Sequence, residues 1–252
     1  MDKQIIISAR KLKKSFGKDE SRQTIISDLD IDIYKGDFTV IMGSSGAGKS
    51  TLMYSLSGMD KPDSGQIMFD GEDITQLTSD QLAKFRRKQC GFVFQQIYLI
   101  NQLSLMDNVI TAGILTSKHR KDIVERAKQL FKLVNLPVQT QEKLPPLVSG
   151  GEAQRAGIVR AVINNPNVLF ADEPTGALNS ANSKAVLDVF SALHNSGQSI
   201  VMVTHDKESA LRGNRIVYVK DGRIFGECHL HDYLDSYKRK AKFEAFLLEM
   251  GW

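Results

Sequence analysis

The strongest constraint in this sequence is a glycine-rich loop at residues 43–50, which has the sequence Gly-Ser-Ser-Gly-Ala-Gly-Lys-Ser. The loop matches the pattern G-x-x-x-x-G-K-S/T and lies between an apolar segment, Phe38–Met42, and a segment predicted to be helical from about Lys49. Short apolar segments of this kind are typical of strands that are buried on both faces of a sheet. This strand–loop–helix order is the one in which such a loop binds phosphate, and it disfavours a chance match.

The residue types in the loop suit a polyphosphate. Glycines allow successive backbone N–H groups to point at phosphate oxygens, and the following helix adds a partial positive charge at its N-terminus. Lys49 is predicted to reach the β- and γ-phosphates of a nucleotide and Ser50 to bind Mg²⁺. The predicted phosphate-binding residues are Gly43, Ser44, Ser45, Gly46, Ala47, Gly48, Lys49, Ser50 and Thr51.

The order of the predicted elements indicates an α/β fold. Strands alternate with helices over much of the chain, which is typical of a parallel sheet. Alternating apolar and polar residues in 25–34 predict a half-buried antiparallel strand, and residues 105–164 have the periodicity of an inserted helical subdomain. We also expect a short strand at Ile5–Ser8, a hairpin at Asp221-Gly222, and a helix from Ser79 to Lys88 with Ser79 as its N-cap.

A second candidate site follows the apolar segment 168–171, which ends in Asp172 and Glu173. Asp172 is predicted to hold Mg²⁺ at the carboxyl end of a buried strand. Glu173 is placed to polarise a water molecule for attack on the γ-phosphate. The alternative is an ordinary strand followed by an acidic turn, and the phosphate loop elsewhere in the chain disfavours it.

A third feature is the segment Val148-Ser149-Gly150-Gly151-Glu152, which precedes a predicted helix. It exposes backbone N–H groups at a helix N-terminus, although a plain capped helix is the simpler interpretation. The segment resembles the ABC signature Leu-Ser-Gly-Gly-Gln, with Val148 for Leu and Glu152 for Gln. From Ile5 to about Glu227 the chain is similar to ABC-transporter ATPase subunits, which implies a P-loop NTPase core with a parallel sheet, an antiparallel β subdomain and an inserted α-helical subdomain.

The resemblance assigns roles to further residues. Phe16 stands where the family has an aromatic residue stacked on adenine, Gln95 matches the glutamine that touches Mg²⁺ and links to the membrane partner, and His205 matches the histidine that contacts the γ-phosphate. From the residues alone, the alternatives are a core side chain for Phe16 and an ordinary histidine without a functional role for His205. Asn179 departs from the family, which usually has Asp in this loop at the dimer interface.

The resemblance also implies an assembly. Two copies are expected to form a homodimer in which each of two ATP molecules lies between one copy's phosphate loop and the other copy's Ser149, Gly150 and Gly151. A separate integral membrane permease is expected to be driven by closure of this dimer. Short stretches around Gln95, Asp172 and His205 are similar to the macrolide-export and lipoprotein-release branch, and residues 177–180 and 246–252 to bacitracin-export and lantibiotic-resistance ATPases.

The expected function is therefore ATP hydrolysis that powers export of, or resistance to, antimicrobial peptides. The alternative is a mechanotransmitting ATPase for lipoprotein release or cell-division control. Three other classes of ATPase are disfavoured. DNA-repair ATPases of this fold carry long coiled-coil or zinc insertions, and translation factors carry two cassettes, neither of which this sequence has. Small-molecule kinases lack the signature that this sequence resembles. The net charge of +4 is too small to indicate nucleic-acid binding.

The cysteine content and the distribution of apolar residues indicate where the protein is located in the cell. Cys90 and Cys228 are the two cysteines, which fits a reducing compartment. We find no apolar stretch of about 20 residues and no signal peptide. The chain is expected to be cytoplasmic and peripheral on the inner face of the membrane through its permease.

The end of the chain lies outside the common core. We expect an ATPase domain at 1–228, with its helical subdomain at about 100–165, and an amphipathic helical extension at 229–252. Its predicted apolar stripe is Leu234, Tyr237, Ala241, Ala245 and Leu248, and its basic cluster is Lys238, Arg239, Lys240 and Lys242. The helix is expected either to pack on its own domain or to contact a permease or membrane surface.

Overall fold

The computed structural model describes residues 3–17, 19–231 and 235–252. Its strands are β1 (Ile5–Phe16), β2 (Gln23–Tyr34), β3 (Phe38–Met42), β4 (Ser64–Phe69), β5 (Glu72–Asp73), β6 (Cys90–Phe94), β7 (Val168–Asp172), β8 (Ser199–Val203), β9 (Arg215–Lys220) and β10 (Arg223–His229). Its helices are α1 (Lys49–Leu56), α2 (Ser79–Gln89), α3 (Leu105–Gly113), α4 (Arg120–Leu133), α5 (Val138–Gln141), α6 (Gly150–Val162), α7 (Ser180–Asn195), α8 (Lys207–Ala210) and α9 (Ser236–Glu249). Within these described ranges, no helix has both the length and the apolar character needed to cross a bilayer.

The elements group into two compact units. Unit 1 consists of residues 1–83 and 199–252, and unit 2 consists of residues 84–198. Unit 1 contains an antiparallel sheet and a set of mainly parallel strands, whereas unit 2 contains a parallel strand pair and most of the helices. This confirms the predicted α/β class.

The antiparallel sheet of unit 1 has the strand order β2-β1-β4-β5. Ala9 of β1 lies opposite Ile31 of β2 and Ile67 of β4, and all three side chains are buried. The antiparallel strand predicted from residues 25–34 is confirmed. Strand β1 extends well beyond the expected Ile5–Ser8. An irregularity between Ala9 and Leu12 interrupts the apolar alternation, and Leu12 is again buried beyond it.

The phosphate loop follows the central strand of the second strand set in unit 1. Strand β3 is parallel to both β8 and β9, so that Val40 lies between Met202 and Ile216. All five residues of β3 are buried, as expected for a strand with neighbours on both sides and cover on both faces. The predicted hairpin joins β9 to β10 through Asp221 and Gly222, both of which have positive φ.

Unit 2 pairs β6 with β7 in parallel, with Phe94 opposite Asp172 at their carboxyl ends. Its helices are amphipathic as predicted: α4 buries Ile123, Ala127 and Phe131.

The predicted N-cap of α2 is wrong by one residue. Ser79 is the first helical residue, and Thr78 exchanges hydrogen bonds with Gln81. The N–H of Thr78 donates to Oε1 of Gln81 at 2.8 Å, and the N–H of Gln81 donates to the Thr78 hydroxyl at 3.4 Å. Thr78 and Ser79 are both residue types that cap helices, and the glutamine three positions after Thr78 selects Thr78 as the cap.

The buried face of α9 is not the predicted one. Phe243, Phe246, Leu247 and Met250 are buried, and a Cβ on Gly226 of β10 would lie 2.7 Å from the Met250 sulfur. The predicted stripe is solvent-exposed at Tyr237, Ala241, Ala245 and Leu248, and Leu234 lies outside the described residues. Both stripes have helical period, but the aromatic stripe removes more apolar area from water.

The predicted basic cluster on α9 separates into two parts. The Arg239 guanidinium donates to the carbonyl oxygens of Leu211, Gly213 and Leu230, at 3.2, 2.5 and 2.9 Å. Partial burial lowers the pKa of this guanidinium. Arg239 therefore fastens α9 to unit 1, whereas Lys238, Lys240 and Lys242 are exposed.

Candidate nucleotide-binding site

The phosphate loop has the open backbone that anion binding requires. Gly43 and Gly48 both have positive φ, at 148° and 96°. A Cβ on Gly43 would overlap the carbonyl oxygen of Val219, and one on Gly48 would lie 2.9 Å from the Ile25 carbonyl oxygen. Gly48 is also the N-cap of α1 and has no side chain to cap it, which leaves the first helical N–H groups directed at the loop.

Lys49 lies along the loop. Its Nζ donates to the carbonyl oxygen of Ser44 at 2.8 Å. Lys49 is half-buried, and this hydrogen bond holds its ammonium group against the backbone of the loop five residues earlier. A cation in this position can bind phosphate oxygens that lie within the loop.

A cavity of about 300 Å³ connects the loop to an aromatic side chain. Its lining residues, all in unit 1, are Phe16, Ile25, Gly46, Gly48, Lys49, Ser50 and Thr51. One wall is therefore apolar and the other consists of backbone, hydroxyl and ammonium groups. Ile25 was not predicted from the sequence; its place in an alternating strand gave no sign that it faces a ligand cavity.

Phe16 is presented at the end of β1 with 48% of its surface exposed. The Lys14 ammonium lies 5.1 Å from the centre of its ring. Lys14 is itself fixed by Asp60 Oδ1 at 2.6 Å and by the Lys61 carbonyl oxygen at 2.7 Å. A large apolar ring held exposed in this way suits stacking better than core packing.

His205 follows β8 in unit 1 and is exposed. The residues on either side of it are fixed: Thr204 is buried, and the N–H of Asp206 donates to its hydroxyl at 3.0 Å. The Asp206 carboxylate in turn accepts from the N–H of Ser209 at 2.7 Å and caps α8. The imidazole therefore stands on a rigid turn at the carboxyl end of a buried strand.

Gln95 lies in unit 2, directly after β6, and packs on the loop that follows β7. A Cβ on Gly176 would lie 3.0 Å from its Nε2. A larger residue at position 176 would collide with the Gln95 side chain, so glycine allows the close approach. This contact joins Gln95 to the segment that begins with Glu173.

Asp172 and Glu173 end the parallel strand β7. Asp172 is its last residue and pairs in register with Phe94, which immediately precedes Gln95. Glu173 has a left-handed backbone with φ of 46°, which is unfavourable for a residue with a side chain. Such strain is concentrated at functional sites. Here the left-handed residue changes the direction of the backbone directly after the end of β7.

Gln154 of α6 is a site-supporting residue that sequence reasoning missed. Its Nε2 donates to the carbonyl oxygens of Phe94 at 3.0 Å and Pro174 at 2.7 Å, and the residue is 1% exposed. One side chain thus positions the residue before Gln95 and the residue after Glu173. The signal in the sequence was a glutamine within the otherwise apolar and small-residue face of a helix.

The segment Ser149–Gly151 begins α6 with a capping box. The Ser149 hydroxyl accepts from the N–H of Glu152 at 3.3 Å, while the Glu152 carboxylate accepts from the N–H of Ser149 at 2.8 Å. Gly151 has a packing role, since a Cβ there would lie 2.5 Å from Oδ1 of Asn182. Asn179, the departure from the family, caps α7 by accepting from the N–H of Asn182 at 3.0 Å.

The available donors suit magnesium bound together with a polyphosphate. The hydroxyl of Ser50, the amide oxygen of Gln95 and the carboxylate of Asp172 are hard oxygen ligands, which Mg²⁺ prefers. No group of three or more His, Cys, Asp or Glu side chains able to hold a metal occurs in the part of the chain that the structure describes. Magnesium commonly has few protein ligands when phosphate and water complete its coordination.

The predicted site residues are divided between the units. Phe16, the phosphate loop and His205 belong to unit 1, and the cavity brings Phe16 together with the loop. Gln95, Ser149–Gly151, Asp172 and Glu173 belong to unit 2, where Gly176 and Gln154 connect Gln95 with the Glu173 segment.

The chain is similar to known proteins in both sequence and structure. The family model described as "ABC transporter" matches residues 26–176. The chain is 38% identical over 240 residues to the macrolide export ATP-binding/permease protein MacB of Mannheimia succiniciproducens, covering 95% of this chain and 37% of that protein. The chain thus spans little more than a third of the length of this relative.

Two further similarities cover nearly the whole of both proteins. The bacitracin export ATP-binding protein BceA of Halalkalibacterium halodurans is 38% identical over 228 residues, which is 90% of each chain. The ATP-binding cassette MJ0796, in a dimeric post-hydrolysis state bound to ADP and Pi, superimposes with a TM-score of 0.82 at 34% identity. That match covers 89% of this chain and 99% of MJ0796.

Proposed function

Because this chain belongs to the ABC transporter family of ATPases, we propose that it binds and hydrolyses ATP and so drives a separate membrane permease. The observation that carries the proposal is the cavity in unit 1, which has the Phe16 ring on one side and the phosphate loop on the other. An adenine nucleotide matches this lining, because it has an aromatic base at one end and anionic phosphates at the other.

The residues of unit 1 bind the nucleotide. The adenine stacks on Phe16, whose orientation is maintained by Lys14. The N–H groups of residues 43–51 and the Lys49 ammonium bind the β- and γ-phosphates. For this, Lys49 exchanges the Ser44 carbonyl oxygen for phosphate oxygens, which are stronger acceptors for an ammonium. His205 donates a hydrogen bond to the γ-phosphate from its rigid turn.

The residues of unit 2 carry out the hydrolysis. Glu173 accepts a proton from the attacking water, and it lies at a strained, left-handed backbone position directly after Asp172. Gln95 and Asp172, together with Ser50 of unit 1, are the residues that would hold Mg²⁺, which would neutralise charge on the phosphates. The contact of Gln95 with Gly176 keeps it beside the Glu173 segment.

The working form is a homodimer with two ATP molecules. Ser149, Gly150 and Gly151 of one copy bind the γ-phosphate held by the phosphate loop of the other. The dimeric state of MJ0796 bound to ADP and Pi supports this proposal. Because ATP lies in the interface, its binding closes the dimer and its hydrolysis releases it.

The partner is an integral membrane permease, through which this chain is held at the inner face of the membrane. The alignment with BceA, an ATP-binding protein for bacitracin export, covers 90% of this chain and 90% of BceA. This similarity favours a permease encoded as a separate chain. We propose export of, or resistance to, antimicrobial peptides as the process that is powered. The second candidate, mechanotransmission without transport, uses the same ATPase cycle.

The variant Glu173→Gln tests the ATPase proposal. It should bind ATP, lose hydrolysis by about 100-fold or more, and form an ATP-dependent dimer in sedimentation experiments. The matched control is Glu142→Gln, at an exposed position in unit 2, which should hydrolyse ATP normally. Near-normal turnover of Glu173→Gln would contradict its role as the base.

The cargo is tested in cells. The chain and the membrane protein encoded beside it are expressed with either Glu173 or Gln at position 173. Bacitracin or lantibiotic sensitivity that increases with Glu173→Gln supports resistance, whereas unchanged sensitivity with altered lipoprotein release or division favours the second candidate.

A further inference from the structure

Helix α9 has a second apolar face, which is directed to solvent. Tyr237 and Leu248 are 80% and 79% exposed, and Ala241 and Ala245 between them are also exposed. At 100° per residue these four side chains form a single stripe. The stripe lies opposite the face formed by Phe243, Phe246 and Leu247, which packs on unit 1.

The composition of the stripe suits close contact with another helix. Two alanines in the middle allow helix backbones to approach closely, and the larger Tyr237 and Leu248 stand at either end. In an antiparallel pair related by a two-fold axis near residue 243, Ala241 of one copy faces Ala245 of the other. Tyr237 of one copy then packs on Leu248 of the other, so the stripe is complementary to itself.

The charges beside the stripe are also self-complementary. Lys238 and Glu249 border the same edge, but eleven residues separate them, or about 16 Å along the helix, so they cannot pair within one chain. In the antiparallel pair, Lys238 of each copy faces Glu249 of the other. On the opposite edge Lys240 lies 3.8 Å from Glu244 of its own chain, so that edge is neutralised internally.

We propose that the exposed stripe of α9 is a contact between two copies of this chain, formed by antiparallel pairing of their α9 helices. The exposed charges around the stripe have both signs, with Lys238, Lys240 and Lys242 beside Glu244 and Glu249. A second copy offers partners for both signs, whereas an anionic lipid surface would pair with the lysines and repel the carboxylates. The contact needs no nucleotide and is therefore independent of the proposed ATP-bound dimer.

A helix of 14 residues is about 21 Å long, so the pairing buries much less surface than a standard stable interface. Self-association by α9 alone is expected to be weak and seen at high protein concentration. Its effect is to hold two copies near each other when the ATP-bound interface is open.

The first test is sedimentation of the full chain without nucleotide over a wide concentration range. We expect concentration-dependent dimers, and about tenfold weaker association for Leu248→Asp. The matched control is Val138→Asp, which introduces the same charge at an exposed apolar residue of unit 2. A strictly monomeric chain up to millimolar concentration, or equal effects of the two variants, would overturn the proposal.

A charge exchange tests the pairing itself. Lys238→Glu should weaken association roughly threefold to tenfold, because two intermolecular pairs become repulsive. The double variant Lys238→Glu with Glu249→Lys should restore it. If the double variant is as weak as or weaker than the single one, these residues do not face each other between copies.

The orientation is tested by crosslinking with a short thiol-reactive linker. Cys90 and Cys228 are buried, so introduced cysteines are the reactive ones. A mixture of Ala241→Cys and Ala245→Cys chains should crosslink more than either variant alone. Equal or stronger crosslinking within a single variant contradicts the antiparallel arrangement, and Leu248-dependent binding to phosphatidylglycerol vesicles without self-association assigns the stripe to a membrane instead.

Discussion

The carboxylate of Glu152 accepts two hydrogen bonds from Ser149, one from the backbone N–H and one from the hydroxyl, each at 2.8 Å. In the proposed dimer this hydroxyl donates to the γ-phosphate bound by the other copy. The proton that should point at phosphate therefore points at a carboxylate of the same helix turn. Glu152 therefore competes with the nucleotide for Ser149, a consequence that the resemblance to the Leu-Ser-Gly-Gly-Gln signature does not predict.

Glu152→Gln should therefore tighten the ATP-bound dimer. A neutral amide is a weaker acceptor than a carboxylate and does not repel the γ-phosphate. In a Glu173→Gln background, we expect the dimer to form at severalfold to tenfold lower ATP concentration, measured by sedimentation at fixed protein concentration. Glu142→Gln, in the same background, should leave the midpoint unchanged, and a weaker dimer in Glu152→Gln would show that the carboxylate assists ATP binding.

The same hydrogen bonds give a pH dependence of stability. Backbone and hydroxyl hydrogen bonds from Ser149 lower the pKa of Glu152 below its ordinary value of 4.5. A lowered pKa in the folded state means that the stabilisation is present above pH 4.5 and is lost as pH falls through the folded-state pKa. Glu152→Gln removes this contribution, so the stability difference between wild type and variant, from urea unfolding, should shrink between pH 6 and about pH 3. A pH-independent difference would show that the carboxylate charge does not matter to the cap.

Parts of the fold follow directly from local patterns. The bounds of β3 agree with the predicted Phe38–Met42, and α1 begins at the predicted Lys49, because a buried strand and a glycine turn are both encoded locally. The ABC family resemblance drawn from the signature and strand motifs is confirmed. The individual site roles and the division at residue 228 stay predictions.

Other parts depend on tertiary packing that one sequence does not show. Two helical stripes compete in α9, and tertiary packing, such as that of Phe246 and Met250 on Gly226, decides which of them is buried. The bridging role of Gln154 depends on two carbonyl groups that are 60 and 20 residues away in sequence. Periodicity reports which residues share a face, and it does not report what the face meets.

Gln154→Leu should separate positioning from chemistry. Leucine fills the space but leaves the carbonyl oxygens of Phe94 and Pro174 without their donor, which costs about 2 kcal/mol of unfolding free energy. We also expect kcat for ATP hydrolysis to fall about tenfold, with a smaller change in KM, because Gln95 and Glu173 lose their common support.

The control for Gln154→Leu is Gln141→Leu. Gln141 is also buried in unit 2, and its Nε2 donates to the Leu136 carbonyl oxygen at 2.9 Å. This variant should lose stability without a comparable loss of kcat. Equal losses of kcat in the two variants would show that the effect of Gln154 is one of stability alone.

The stacking role of Phe16 can be isolated because ATP has two ends. Phe16→Ala should weaken ATP binding roughly tenfold, since base–aromatic stacking contributes about 1–3 kcal/mol, while binding of inorganic tripolyphosphate to the loop stays unchanged. Phe16→Tyr should bind ATP like the wild type, and Lys14→Met should weaken ATP binding partially because the ring loses its ammonium contact at 5.1 Å. Both ligands are measured by calorimetry on the same preparations. Equal weakening for ATP and tripolyphosphate would mean that Phe16 supports the loop, and no weakening of either would show that Phe16 does not stack on adenine.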